Sequence, residues 1–129
     1  MEGPVSRRVL VVDDDPDIRK IAQTSLELVE GWQVLTASNG TEALRLAAEK
    51  RPEAILLDVM MPETDGPETV RLLAGQPVTA TIPVVLLTAR SHPKDSTPFP
   101  DLGVAGVIAK PFDPLHLARQ VREILGWNT

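Results

Sequence analysis

Five short runs of apolar residues alternate along the chain with segments that carry apolar residues at helical spacing. The runs are rich in β-branched residues and apolar at consecutive positions, which is typical of strands buried on both faces of a parallel sheet. The predicted strands are 9–12, 33–37, 54–57, 82–87 and 104–109. Because right-handed parallel crossovers need a helix, this alternation indicates an α/β fold with helices on both faces of the sheet.

Proline and aspartate mark where the predicted helices begin. Asp15 is a favoured N-cap residue, and Pro16 suits the first position of the first helix. The last helix is predicted to open in the same way, at Asp113 and Pro114. Two more helices are predicted after the second and third strands, the latter at about 67–73. The apolar stripe predicted for the first helix consists of Ile18, Ile21, Ala22, Ser25, Leu28 and Val29.

Composition narrows the possible classes of protein. A chain of 129 residues fits one domain, and we expect its core at about 8–125. The absence of cysteine excludes a disulfide scaffold, a zinc-thiolate site and a cysteine nucleophile. A net charge of −5 disfavours direct binding to nucleic acid. The sequence has neither a long apolar run nor a signal-peptide pattern, so we expect a cytoplasmic protein with no membrane insertion.

Polar residues directly follow or end the predicted strands. Asp13 and Asp14 follow the first strand, Asp58 the third, Thr88 the fourth and Lys110 the fifth. In open α/β sheets, ligands bind beyond the carboxyl ends of the strands, at the point where the strand order reverses. A sheet ordered 2-1-3-4-5 puts strands one, three and four side by side there, so we expect these residues to converge.

The charges at this edge indicate phosphoryl chemistry with a divalent cation. The three aspartates carry three negative charges, which Lys110 and one divalent cation would balance. Oxygen ligands without cysteine or clustered histidine favour Mg²⁺, with Mn²⁺ as the alternative. An aspartate beside such a cation, a lysine and a hydroxyl is suited to accept a phosphoryl group, because the positive charges neutralise the incoming oxygens.

The chain resembles the receiver (CheY-like) domain of two-component response regulators. The motifs that carry the resemblance are VLVVDDDP, ILLDVMMPETDG, PVVLLTA and GVIAKPF, in this order. The resemblance implies one receiver domain over residues 1–129. It also implies a single doubly wound, five-stranded parallel sheet of flavodoxin-like order 2-1-3-4-5.

The resemblance also implies the roles of the site residues. Asp58 would be the phosphoacceptor, Thr88 the hydroxyl that moves toward the phosphoryl group, and Lys110 the partner of a phosphoryl oxygen. The Lys110–Pro111 peptide bond would be cis. The implied ligands of the metal are Asp13, Asp14, Asp58 and the backbone carbonyl of Met60. Among these, Asp14 would bind directly, and Asp13 would hold a metal-bound water.

Two features depart from the family pattern. Val107 occupies the position of the family's aromatic switch residue, and the chain contains no tyrosine. Segment 91–103, where the family has its fourth helix, contains three prolines. Each interior proline destabilises a helix by about 3 kcal/mol, so we expect this helix to be degraded or absent. The dimer face that the family builds from its fourth helix, fifth strand and fifth helix would then be remodelled.

The leading hypothesis is a phosphoacceptor switch that is not a turnover enzyme. A histidine kinase or phosphotransfer protein would supply the phosphoryl group, and an output protein would read the changed surface, unless the chain is part of a longer protein. One alternative is a degenerate docking module that is never phosphorylated. Another is an aspartyl-nucleophile phosphatase, since Asp13 and Asp15 partly match the D-x-D motif of haloacid-dehalogenase-like enzymes.

Overall fold

The computed structural model describes residues 7–59, 66–88 and 103–127. In chain order, the elements are β1 (Arg8–Val12), α1 (Pro16–Glu30), β2 (Gln33–Ala37), α2 (Gly40–Lys50), β3 (Ala54–Asp58), α3 (Gly66–Ala74), β4 (Val84–Thr88), β5 (Gly106–Ala109) and α4 (Leu117–Leu125). All neighbouring strands pair in parallel. Their order is β2-β1-β3-β4-β5, which confirms the predicted topology.

The sheet lies between two apolar layers, as expected for strands that are apolar at consecutive positions. One layer packs against α2 and α3 and includes Leu10, Val12, Ala43, Ala47, Ile55, Leu57, Val70, Leu73 and Leu86. The other packs against α1 and α4 and includes Val9, Val11, Ala22, Leu26, Leu56, Val85, Leu87, Leu117 and Val121. The prediction that the strands are buried on both faces is thus confirmed for the central strands.

The predicted apolar stripe of α1 is partly wrong. The structure buries Ala22, Ser25 and Leu26, whereas Leu28 is 80% exposed. Ala22 and Leu26 lie one helical turn apart and pack against the sheet and α4, and the Ser25 hydroxyl donates to the Pro114 carbonyl. Leu28, two residues beyond Leu26, does not share this face and is exposed to solvent.

The two predicted helix caps behave differently. Asp15 caps α1 as predicted, since its carboxylate accepts from the backbone amides of Asp17 and Ile18. The last helix starts at Leu117, three residues after the predicted Pro114. Here the Asp113 carboxylate accepts from the Leu115 amide at 2.9 Å and forms a separate turn.

The predicted loss of the family's fourth helix concerns residues 91–103, of which only Gly103 lies among the described residues. Within the described part of the chain, every helix is too short or too polar to cross a bilayer.

Candidate functional site

The register of the sheet brings the predicted site residues to one edge. Val12 pairs with Leu57, and the next residues are Asp13, just beyond β1, and Asp58, the last residue of β3. Similarly, Thr88 pairs with Ala109, and Lys110 follows directly beyond the end of β5. The carboxyl ends of four strands therefore supply the polar side chains of one site.

The three aspartates form a compact acidic cluster. One carboxylate oxygen each of Asp13, Asp14 and Asp58 lies within 4.8 Å of the others. Asp13 and Asp58 are only 0% and 3% exposed, whereas Asp14 is open to solvent. Two like charges at such a distance repel by about 3–4 kcal/mol at an effective dielectric constant of about 20. The cluster therefore requires positive charge nearby.

Lys110 supplies part of that charge. Its ammonium donates to Asp13 Oδ2 at 2.8 Å and to Asp58 Oδ1 at 3.0 Å. Burial lowers the pKa of Lys110, but the hydrogen bonds and attraction to Asp13 and Asp58 outweigh burial and raise the pKa above its ordinary value. The ammonium is therefore charged at neutral pH. One ammonium hydrogen-bonded to two of the three carboxylates leaves the cluster rich in acidic oxygens, and such a site fits a divalent cation.

Asp13 and Asp14 differ in their hydrogen bonding. Asp13 Oδ1 accepts from the Asp15 amide at 2.9 Å, and Oδ2 accepts from Lys110. The Asp13 amide itself donates to the Ala37 carbonyl at 3.1 Å. Among the described residues, Asp14 has no hydrogen-bond or ion-pair partner for its carboxylate. Asp13 is thus held in place, and Asp14 is available to a ligand from solvent.

The remaining predicted residues have these positions. Thr88 is 2% exposed at the end of β4, next to Leu87, which pairs with Asp58. Val107 is 37% exposed on β5. The Lys110–Pro111 peptide bond is cis, as the resemblance implied. Met60 lies outside the described residues, so its role as a ligand stays an expectation.

Sequence reasoning missed one residue beside the site. The guanidinium Nη1 of Arg19 donates to the backbone carbonyl of Asp13 at 2.8 Å. Arg19 lies four residues after the N-cap Asp15, and its amide donates to the Asp15 carbonyl at 3.0 Å. A basic residue one helical turn after the cap was the available signal, because long side chains in a helix point back toward its N-terminus.

Comparison with known proteins finds a family that matches most of this chain. Residues 9–122 match the family described as "Response regulator receiver domain". The "Alkaline phosphatase synthesis transcriptional regulatory protein PhoP" of Bacillus subtilis (strain 168) is 37% identical over 121 residues, which cover 94% of this chain and 49% of that protein. The chain thus spans about half the length of the curated relatives it matches.

Solved structures also resemble this fold. The chemotaxis response regulator CheY4 of Vibrio cholerae has a TM-score of 0.87 at 32% identity, with 93% of this chain and 99% of that chain covered. The receiver domain of sensor histidine kinase PA1611 from Pseudomonas aeruginosa PAO1 has a TM-score of 0.83 at 28% identity, covering 95% and 99% of the two chains. That structure is described with a magnesium ion coordinated in its active site cleft.

Proposed function

The chain belongs to the receiver domain family of two-component response regulators, and from this premise we propose that it is a phosphoacceptor switch with Asp58 as the phosphoacceptor. A phosphohistidine kinase or a phosphotransfer protein donates the phosphoryl group in a Mg²⁺-dependent reaction. The observation that best supports this proposal is the Lys110 ammonium shared between Asp13 and Asp58 at the acidic edge of the sheet.

The proposed reaction uses the Asp58 carboxylate as a nucleophile. An Asp58 oxygen forms a bond to phosphorus while the bond between phosphorus and the donor imidazole nitrogen breaks, and that nitrogen keeps the electron pair. The product is an acyl phosphate on Asp58. Lys110, whose ammonium donates to Asp58 Oδ1 at 3.0 Å before transfer, would pair with a phosphoryl oxygen afterwards. The Thr88 hydroxyl would donate to another phosphoryl oxygen.

The donor set at the site fits Mg²⁺, and Mn²⁺ would use the same oxygen atoms. The proposed ligands are Asp13, Asp14, Asp58 and the backbone carbonyl of Met60. Since Asp14 is exposed and has no partner among the described residues, it is the available direct ligand. Both carboxylate oxygens of Asp13 already accept hydrogen bonds, which supports an indirect role through water. When bound, the cation neutralises charge on the transferred phosphoryl group.

The proposed output is a change of surface, not the turnover of a substrate. We take residues 1–129 to be one receiver domain with its core at about 8–125, acting in the cytoplasm. Because the chain spans about half the length of its curated relatives, the output is read by a separate protein or by a further domain. We also propose that the dimer face of the family is remodelled in this chain, as expected from the prolines in segment 91–103.

Intact-mass spectrometry after treatment with acetyl phosphate and Mg²⁺ tests the proposal. We expect one added phosphoryl group on the wild-type chain and none on Asp58→Asn. Asp17→Asn, at an exposed aspartate outside the cluster, is the matched control and should be modified like the wild type. An adduct that persists in Asp58→Asn, or without Mg²⁺, contradicts the assignment.

Two further measurements, phosphoryl uptake from a phosphohistidine kinase and release of inorganic phosphate, separate the alternatives. A wild-type chain that takes up no phosphoryl group from acetyl phosphate or from a phosphohistidine kinase supports a docking module. Release of many phosphate equivalents per chain supports a phosphatase with an aspartyl nucleophile.

A further inference from the structure

We propose that Arg19 is a positioning residue, which holds Asp14 in the orientation required to bind the cation. The inference rests on the proposed function, because it concerns the metal site within it. Its starting point is the 2.8 Å hydrogen bond from Arg19 Nη1 to the Asp13 carbonyl, in a part-buried position beside the acidic cluster.

The Asp13 carbonyl lies where the sheet ends. The Asp13 amide donates to the Ala37 carbonyl at 3.1 Å and so continues the hydrogen-bond pattern of β1 and β2. Beyond this point the chain leaves the sheet and enters α1 at Pro16. A backbone carbonyl at such a position needs a partner from outside the sheet, and Arg19 provides it.

Two side-chain hydrogen bonds hold the two peptide groups that flank Asp14. Each peptide group is planar, so a bond to its carbonyl or amide fixes the orientation of the whole group. The bond from Arg19 to the Asp13 carbonyl holds the group before Asp14. The bond from the Asp15 amide to Asp13 Oδ1 holds the group after it, at 2.9 Å.

Asp14 itself contributes little to its own orientation. Its carboxylate is exposed and has no hydrogen-bond partner among the described residues, in contrast to the buried Asp13. The direction in which Asp14 leaves the backbone is therefore set by the two flanking peptide groups. Arg19 controls one of them from the first turn of α1, where its amide bonds to the Asp15 carbonyl at 3.0 Å.

The positioning role can be distinguished from the effect of charge. Arg19 is a cation, and its repulsion should weaken the binding of a second cation. Removing Arg19 would therefore strengthen Mg²⁺ binding if only its charge mattered. If positioning dominates, removing Arg19 weakens binding instead, so the two effects have opposite signs.

Calorimetric titration with MgCl₂ measures whether the loss of Arg19 raises or lowers the affinity for Mg²⁺. We expect Arg19→Met to reduce Mg²⁺ affinity by about tenfold or more, as is typical when a residue that orients a metal ligand is removed. Lys20→Met removes the same charge from the adjacent exposed position and should leave the affinity equal or higher. Mg²⁺ affinity in Arg19→Met that equals or exceeds the wild-type value overturns the inference.

An NMR measurement provides a readout without metal. The Asp14 amide resonance should shift in Arg19→Met and stay in place in Lys20→Met; an unmoved resonance in Arg19→Met also counts against the inference. If Arg19→Met does not fold, Arg19→Leu, which also removes the N–H donor, is tested against the same criteria for loss of affinity. A wild-type chain that binds no Mg²⁺ contradicts the proposed function itself, whereas wild-type binding that Arg19 variants share contradicts only its positioning role.

Discussion

Lys110 donates to Asp13 at 2.8 Å and thereby joins the end of β5 to the end of β1, although β3 and β4 lie between these strands in the sheet. The same ammonium donates to Asp58 at the end of β3. Both aspartates are almost fully buried. A single cation thus neutralises part of the charge that the site concentrates within the protein.

Replacing Lys110 should destabilise the fold when no metal is present. Lys110→Met removes the ammonium and leaves Asp13 and Asp58 as buried carboxylates without this partner. Breaking a buried ion pair lowers the free energy of unfolding by several kcal/mol, and the 14% exposure of the Lys110 side chain reduces this to about 2–4 kcal/mol. Urea denaturation in the presence of chelator measures the loss.

A second substitution tests whether charge is the cause. Adding Asp58→Asn to Lys110→Met removes one of the two buried charges and should restore part of the lost stability. Lys20→Met, at an exposed lysine, should change the free energy of unfolding by less than about 0.5 kcal/mol. The explanation fails if Lys110→Met is as stable as the wild type.

The sheet and the convergence of the site residues at one of its edges could be predicted from the sequence, because both depend on simple patterns. Consecutive apolar residues indicate strands buried on two faces, and the order of such strands decides which carboxyl ends meet. Asp13 and Lys110 directly follow β1 and β5, and Asp58 ends β3, so the topology alone brings them to one edge. Their chemical roles stay predictions that the phosphorylation experiment tests.

The details that the sequence did not predict depend on tertiary contacts. Leu26 is buried and Leu28 exposed because α1 packs against the sheet and α4 through the face that carries Ala22 and Leu26. Arg19 contacts a backbone atom, and helical periodicity does not show which side chain reaches a carbonyl. The start of α4 is displaced because Asp113 bonds to the near amide of Leu115 and forms a turn.

A side chain at Gly106 should destabilise the fold. A Cβ atom at this position would lie 2.7 Å from Ile124 Cγ2, which belongs to α4 packed on β5. Gly106→Ala should therefore lower the free energy of unfolding by about 1–3 kcal/mol, as overpacking commonly does. Chemical denaturation of Gly106→Ala, Ile124→Ala and the double variant measures the coupling. The double variant should lose less stability than the two single losses added together; simple additivity would contradict the contact.

The charge of Asp113 should stabilise the fold only above acidic pH. The Leu115 amide and, to a lesser extent, His116 lower the pKa of Asp113 below 3.8. Since the folded-state pKa lies below the unfolded one, this carboxylate stabilises the fold above the unfolded value and loses that effect as pH falls through the folded value. The stability difference between wild type and Asp113→Asn should therefore narrow below about pH 4.

A carboxyl-carbon NMR titration checks the cause of this shift. The midpoint for Asp113 should lie below 3.8 in the wild type. In His116→Ala it should rise but stay below the ordinary value, because the larger contribution, from the Leu115 amide, remains. A midpoint at or above the ordinary value in the wild type would show that the turn does not hold the carboxylate in solution.

Removing Asp14 should separate metal binding from folding. Asp14 is exposed and crowded by Asp13 and Asp58, with one oxygen of each carboxylate within 4.8 Å of the others. In chelator, Asp14→Ala should be as stable as the wild type or more stable by up to about 1 kcal/mol, since repulsion is relieved and an exposed charge contributes little.

Mg²⁺ should raise the melting temperature of the wild type by binding the folded state and leave that of Asp14→Ala unchanged. Asp14→Asn, which keeps the side-chain size, should behave in the same way. Thermal melts with Mg²⁺ and with chelator make the comparison, and a large loss of stability of Asp14→Ala in chelator would show that Asp14 supports the fold.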